Sequence, residues 1–407
     1  MIESPVRNGA LKGLRVIDLT MMMAGPFATM LLGDQGATII KVEPLKGGDM
    51  TRSVSLPKGS AMPYAGYYQS VNRNKLSIAL DLKSDAGKEV LRRLVKDADV
   101  LVENYRVGVM DRLGLSYESL AKINPRLVYA TIRGFGDPRT GKSPYADWPA
   151  FDVIAQAMGG IMGITGPDAH TPLKIGPGVG DIVPAMLMAF GILAAVRHAE
   201  KTGEGQFVDV GMYDAILAVC ERLVYQHSYD GVVPGPEGNS HPLLCPFGLF
   251  PAKDGWVSIA CPQDHFWKTL ADAMGRPELA ADERYALNPS RVKHNSEVVA
   301  LVSGWTRTLT KLELAKILGG KIPFGPVNNA ADIFADPHTA ARNMLPEVEQ
   351  PGKGKVRIAG TPVHMTKTPG GVARRGALLG EDTDAILQDA GYPAEEIAAL
   401  RDAGVIR

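Results

Sequence analysis

The chain has 407 residues, 45% of them hydrophobic and 22% charged, with 44 Lys plus Arg set against 44 Asp plus Glu. That length points to two domains, or to one large domain carrying an insertion, and the composition excludes a disordered or fibrous chain. The zero formal net charge offers no basic excess for gripping a phosphate backbone, so no nucleic-acid partner is expected.

The elements alternate from the start. "LRVIDLT" (14–20) reads as a strand, "GPFATMLLGDQGA" (25–37) as a helix with a glycine exit, and "TIIKVE" (38–43) as a second strand. Strand "LSIALDL" (76–82), helix "DAGKEVLRRLVKDA" (85–98) and strands "VLVEN" (100–104) and "RLVYATIR" (126–133) follow. Helices are expected around 152–160 and 182–200, then a strand at 205–211. This rhythm predicts an α/β fold with a mainly parallel sheet covered by helices on both faces.

At "DGVVPGPEGNSHPLLCPFG" (230–248) the composition turns to Gly and Pro and the rhythm stops. Beyond it, "LFPAKDGWVSIACP" (249–262) predicts a hairpin closing on Asp-Gly, a pair that tolerates positive φ. Helical segments run from about 263 to 320, and a second hairpin at 347–366 precedes a polar helical tail. The expected organisation is a large domain over 1–225, a smaller α+β domain over 226–330 and a segment, 331–407, returning to the large domain. The stretch "PGPEGNSHP" (234–242) reads equally as a plain linker or as a glycine-hinged lid over a reacting centre.

Three cysteines, Cys220, Cys245 and Cys261, are odd in number and lack C-x-x-C spacing, which fits a reducing, cytoplasmic setting. The start "MIESPVRNGALKG" lacks the apolar core of a secretory signal. The longest mostly apolar stretch, Ile182 to Val196, is about 15 residues and short for a membrane span, so no membrane partner is expected.

Several cofactor chemistries lack their residues. Glu43 ends the second strand where a ribose-binding acid would sit, but the turn before it reads "MMMAGPFA" rather than G-x-G-x-x-G. The eight histidines form no H-E-x-x-H or close pair, so no metal is expected. Neither a nucleophile elbow nor a Walker loop is present.

Asp181, in "GPGVGDIVPAMLMAFGILAAV" (176–196), stands between glycines and an apolar helix. Asp is a favoured N-cap, and Pro184 suits the first turn. A helix N-terminus also keeps a carboxylate ionised and favours a developing oxyanion, and Gly178 and Gly180 would clear an approach for a bulky substrate. Cap and nucleophile both remain open on these residues alone.

Several stretches together resemble the class III CoA-transferases, or CaiB/BaiF family, which contains formyl-CoA transferase. They are "LKGLRVIDLT…AGP" (11–26), "LLGDQGATIIKVEPLKGGDMTR" (31–52), "NRNKLSIALDLKSDAGKEVLRRLVKDADVLVENYRVGVMDRLGL" (72–115) and "VGDIVPAMLMAFGILAAVRHAEKTGEGQFVDVGMYDA" (179–215). Weaker matches lie at 238–260 and 379–387.

The resemblance implies a Rossmann-like large domain and an interlocked, ring-like homodimer. It implies CoA transfer from an acyl-CoA donor, with succinyl-CoA a candidate, to a small carboxylic acid, and no permanently bound cofactor. Asp181 matches the family's nucleophile, which passes through an aspartyl anhydride and an aspartyl-CoA thioester; such covalent catalysis splits one hard exchange into easier steps. Leu80, Lys83, Asn104, Tyr105, Val109 and Arg112 match CoA-binding positions, and Met22, Met23 and Ala24 match the segment lining the pantetheine end. Met23, Pro44 and "PGPEGN" depart from the formyl-CoA branch, which speaks against formate and oxalate. Related 2-methylacyl-CoA racemases pair a histidine with the aspartate; here that position is Phe151, and racemisation needs a second base. The rival readings are such a racemase and a non-catalytic acyl-CoA-binding subunit.

Overall fold

The computed structural model describes residues 2–407, which form two compact units. The first runs to Ile161 and includes Lys174–Val224 and Pro337–Arg407; the second comprises Met162–Leu173 and Tyr225–Asp336.

The first unit begins with β1 (Arg15–Asp18), α1 (Ala24–Asp34) and β2 (Thr38–Glu43), then α2 (Gly66–Asn72), β3 (Lys75–Ala79), α3 (Asp85–Lys96) and β4 (Val100–Glu103). The short α4 (Val109–Arg112) and α5 (Tyr117–Ala121) lead to β5 (Val128–Arg133). Next come α6 (Asp152–Met158), α7 (Val179–Thr202), β6 (Phe207–Gly211) and α8 (Met212–Val219). All six strands pair in parallel in the order β3-β2-β1-β4-β5-β6. This is the doubly wound order of a Rossmann-like sheet, with its topological switch between β1 and β4.

Every residue of β1 to β5 is buried, which explains their near-continuous apolar character. Helix α3 shows the local logic. The Ser84 hydroxyl accepts the Gly87 amide hydrogen at 3.0 Å as N-cap, Val90, Leu91, Leu94 and Val95 form the buried face, and Arg93 and Lys96 close the last turn.

Helix α9 (Glu221–Asp230) spans the division between the units. In the second unit, β7 (Phe247–Ala252) and β8 (Gly255–Ala260) form the predicted antiparallel hairpin. Its two loop residues are Lys253 and Asp254, so Gly255, at φ 146°, opens the return strand rather than lying in the turn. Helices α10 (Asp264–Ala273), α11 (Asn288–Lys293), α12 (Asn295–Thr306) and α13 (Lys311–Leu318) precede β9 (Phe324–Pro326), which pairs with β8, and α14 (Ala330–Ala335). Phe250, Val257, Trp267, Leu270, Val298 and Leu314 share this unit's core. Gly238, in the 234–242 stretch, has φ 61° and donates its amide hydrogen to the Gly166 carbonyl at 3.0 Å.

The chain re-enters the first unit with α15 (Pro337–Ala341) and a hairpin of β10 (Glu347–Gln350) and β11 (Gly354–Arg357), shorter than the predicted span. Helices α16 (Thr383–Asp389) and α17 (Ala394–Asp402) then add Ile386, Leu387 and Ile397 to the core built on Ile17, Ile40 and Leu101. The Asp81 amide donates to the Val405 carbonyl at 2.9 Å, and Leu80 bridges Ile406, so the C-terminus covers the open edge beyond β3.

Helix α7 is 24 residues long, longer than the apolar stretch in the sequence, and is apolar enough to cross a membrane by length and composition. One face of it packs in the core, where Ala185, Met188, Ile192 and Ala195 are buried and it lies along α1, α8, β5 and β6, while Met186, Phe190 and Leu193 on another face are exposed.

Candidate active site

Open α/β sheets bind ligands beyond the carboxyl ends of their strands. Here a cavity of about 600 Å³ lies beyond β2, β3 and β4. Leu80, Lys83, Tyr105, Val109 and Arg112, five of the sequence-predicted CoA residues, line it together. Val42, Leu45, Leu82 and Leu113 add apolar wall, and Lys46, absent from the sequence-based set, adds a third cation. Pro44 also faces it.

The walls are held from behind. The Tyr105 amide donates to Glu103 Oε2 at 2.7 Å, and its carbonyl accepts from Arg133 Nε at 3.0 Å. Burial pushes the Glu103 carboxyl up to about 7 despite the pull of Arg133, and burial pushes the Tyr105 hydroxyl up to about 12. The Lys83 amide is fixed by Asp81 Oδ1 at 3.0 Å, leaving the side chain exposed. Glu43, considered above as a ribose ligand, accepts from Arg52 Nε at 2.8 Å and from the Ser77 hydroxyl at 2.8 Å, so its carboxylate is occupied within the fold.

Asn104, Met22, Met23 and Ala24 do not line this cavity. Asn104 grips the β1–α1 loop: Oδ1 accepts the Met21 amide hydrogen at 2.9 Å and Nδ2 donates to the Met21 carbonyl at 2.8 Å. Met22 has φ 72°, a left-handed conformation rare for a residue with a Cβ, and its amide donates to Asp49 Oδ1 at 3.3 Å. Asp49 pairs with Lys41 at 3.0 Å, and Lys41 Nζ donates to the Thr20 carbonyl at 2.7 Å. Behind them Lys75 bonds Asp18 at 2.9 Å; against the cost of burial, Lys75 and Lys41 hold the Asp18 carboxyl well below the usual range. A buried charge network thus supports a strained loop. Strain concentrated at a site of chemistry is a recurrent pattern.

Met23 and Ala24 open α1, which packs against α7. A Cβ at Gly178 would stand 3.1 Å from Met23 Sδ, so the loop reaches the start of the helix that carries Asp181. The loop therefore joins the Tyr105 side of the cavity, through Asn104, to the Asp181 side.

Asp181 is not the N-cap. Helix α7 begins at Val179 after Gly178, which places Asp181 third in the helix and Pro184 sixth. The Gly180 amide is capped across space, by Asp152 Oδ1 of α6 at 2.7 Å. Gly180 is also small for a packing reason: a Cβ there would fall 2.4 Å from the Asp152 carbonyl oxygen.

Nor does the helix end keep Asp181 strongly acidic. Burial, followed by the charge of Asp152, pushes its carboxyl up to about 7. Among the described residues no donor holds this carboxylate. Tyr67 of α2 is a neighbour, its hydroxyl raised by burial and then by the Asp181 charge. A half-buried, unpaired carboxylate titrating near neutrality is a group poised for covalent or proton-transfer chemistry.

Asp152, Gln156 and Tyr67 were missed by reading the sequence. "PAFDVIAQ" drew attention only to Phe151, which precedes α6 with 63% of its surface exposed and offers no titratable group. A signal was present in Asp152 and Gln156, which lie four apart and meet on one helix face.

Residues 11–383 match CoA-transferase family III. The chain is 49% identical over 386 residues to the succinyl-CoA:mesaconate CoA-transferase of Haloarcula hispanica, covering 94% of this chain and 97% of that one. It is 38% identical over 395 residues to the succinate–glutarate CoA-transferase of Agrobacterium fabrum, covering 96% and 98%. The crystal structure of a CAIB/BAIF family protein from Brucella suis matches with a TM-score of 0.83 at 36% identity, over 94% of this chain and 100% of that chain. With a family match across nearly the whole length, relatives this similar and a shared fold, the chain belongs to CoA-transferase family III and is a class III CoA-transferase.

Proposed function

We propose that the enzyme moves CoA from succinyl-CoA or a similar donor to a small dicarboxylic acid, with Asp181 as nucleophile. The observation that supports this reading is the Asp181 carboxylate in the first turn of α7, which has no hydrogen-bond donor among the described residues. Its oxygen attacks the donor thioester carbon, the C–S bond breaks, and a mixed anhydride and CoA thiolate result. The thiolate attacks the aspartyl carbonyl, expelling the donor acid and leaving an aspartyl-CoA thioester. The acceptor carboxylate attacks that thioester, giving a second anhydride and free thiolate. The thiolate then takes the acceptor acyl group and restores the Asp181 carboxylate. Each step exchanges one oxygen or sulfur nucleophile at a carbonyl, so no redox partner or external proton is needed.

The cavity beyond β2 to β4 suits CoA: apolar walls for the base, and Lys46, Lys83 and Arg112 for phosphates. The strained loop through Met22, Met23 and Ala24 leads from there toward Asp181 and suits the pantetheine arm. The mesaconate and glutarate specificities of two relatives support a small dicarboxylate acceptor, in keeping with Met23 and Pro44 in place of the formyl-CoA branch residues. Phe151, lacking a base, favours transfer over racemisation.

The functional form in this reading is a homodimer. Met186, Phe190 and Leu193 of α7 share one face and are exposed, Phe190 by 72%, and a second copy would bury them. Buried cysteines free of disulfides at Cys220, Cys245 and Cys261 suit a reducing cytoplasm. Incubation with succinyl-CoA and mass spectrometry of the intact protein tests the mechanism. An adduct of CoA mass on the Asp181 peptide is expected, and turnover with no covalent adduct at any time would overturn it.

A further inference from the structure

We propose that Asp152 is the positioning residue for Asp181: from α6 it pins the first turn of α7 and sets a second negative charge beside the reacting carboxylate, with Gln156 holding it in place. The proposal rests on Asp181 being the nucleophile, and its test separates the two claims.

The geometry is a closed chain of hydrogen bonds. The Ile175 amide donates to Gln156 Oε1 at 2.9 Å, which fixes the orientation of the Gln156 amide. Gln156 Nε2 then donates to Asp152 Oδ1 at 2.9 Å and Oδ2 at 3.0 Å. Asp152 Oδ1 accepts the Gly180 amide hydrogen at 2.7 Å, one residue before Asp181. Gln156 is fully buried, and the backbone of Asp152 presses on Gly180 so closely that no Cβ fits. A cap normally comes from the residue preceding the helix. Here it comes from another helix, which brings a like charge to the nucleophile along with the cap.

That charge has a chemical consequence. Every covalent form of Asp181, anhydride or thioester, is neutral, whereas the free carboxylate is repelled by Asp152. The repulsion raises the resting state relative to the adducts and makes the oxygen a stronger base. It must act on proton binding and on adduct formation by the same factor, because both remove the same charge. Tyr67 of α2 faces the same carboxylate, and α1, α8, β5 and β6, which pack on α7, place no charged group on it among the described residues.

Asp152→Asn tests this: an amide oxygen at the Oδ1 position keeps the bonds from the Gly180 amide and from Gln156 Nε2, while the charge and the second Gln156 bond, to Oδ2, are lost. The acid limb of kcat/KM against pH should move down by about 0.5–1 unit. The ratio of aspartyl-CoA thioester to free enzyme, read by mass spectrometry at fixed donor and product, should fall by the corresponding factor of about 3–10. An unchanged acid limb together with an unchanged adduct ratio, in a folded protein, overturns the role of Asp152. Asp181→Asn run alongside separates the outcomes: full transfer activity there means that the nucleophile reading itself has failed. Should Asp152→Asn not fold, Gln156→Ala takes its place, because it frees Asp152 without touching Asp181. A fall of about fivefold or more in kcat with KM for acyl-CoA held is expected, and an unaltered kcat overturns the proposal.

Discussion

The Asn104 side chain brackets Met21, accepting its amide hydrogen at 2.9 Å and donating to its carbonyl at 2.8 Å, so that one amide fixes the backbone immediately before the left-handed Met22. Asn104→Ala removes both bonds and leaves two backbone groups unpaired, at a cost of about 1–3 kcal/mol. The loop it releases lies between the cavity and Asp181. We expect kcat to fall by tenfold or more, with the Kd for CoA changing less than threefold. Steady-state kinetics beside calorimetric CoA binding checks the split, and a large loss of CoA affinity at constant kcat would make Asn104 a ligand instead.

Asp181→Asn should abolish transfer and adduct formation while keeping the fold. The structure gives a stronger form of this prediction than a capping argument would, because the cap of α7 belongs to Asp152 and survives the change. Activity above about 1% of wild type in a variant with native circular dichroism would exclude an aspartyl intermediate.

The same variant should be more stable than wild type above neutrality. The folded chain raises the Asp181 carboxyl from 3.8 to about 7, so between those values the native state holds a proton that the unfolded chain has released. Stability therefore declines as pH rises through that window, and removing the group removes the decline. At pH 8 we expect Asp181→Asn to gain on the order of 1–3 kcal/mol over wild type, and at pH 4 the gain should vanish. Paired urea melts at the two pH values measure this; equal differences at both would show that the carboxylate is not perturbed.

Lys83 and Arg112 are exposed cations on the cavity wall, which also carries Lys46, Glu43 and Asp81. If they meet CoA phosphates, Lys83→Ala or Arg112→Ala should raise KM for acyl-CoA by about three- to tenfold with kcat nearly constant, the scale of a single solvent-accessible charged contact. The penalty should shrink at high salt, where such contacts are screened. A donor lacking the 3′-phosphate provides the control: the variant whose partner is that phosphate should lose no further affinity for it. Unchanged KM in both variants would move the phosphates elsewhere.

Much of this was legible in the sequence. Runs such as "TIIKVE" and "RLVYATIR" read as strands, and their alternation with amphipathic helices such as α3 pointed to a mainly parallel sheet covered on both faces, as the fully buried β2 and β5 bear out. The resemblance to the class III family drew attention to Asp181, which the residues alone left open between cap and nucleophile, and the stretches flanking β3 and β4 contain the residues that meet at the cavity.

What the sequence could not express is whatever depends on one segment approaching another. Asp181 looked like a cap because capping is judged from neighbouring positions, yet the cap reaches Gly180 from a residue 28 positions away. The Asn104 amide reaches a loop 83 residues earlier, a contact that no local reading of the sequence shows. A carboxylate's proton affinity is likewise not a property of its local sequence. It follows from how much water the fold removes and which charges it brings near, and for Asp181 both the burial and the Asp152 charge are set by the packing of α6 against α7.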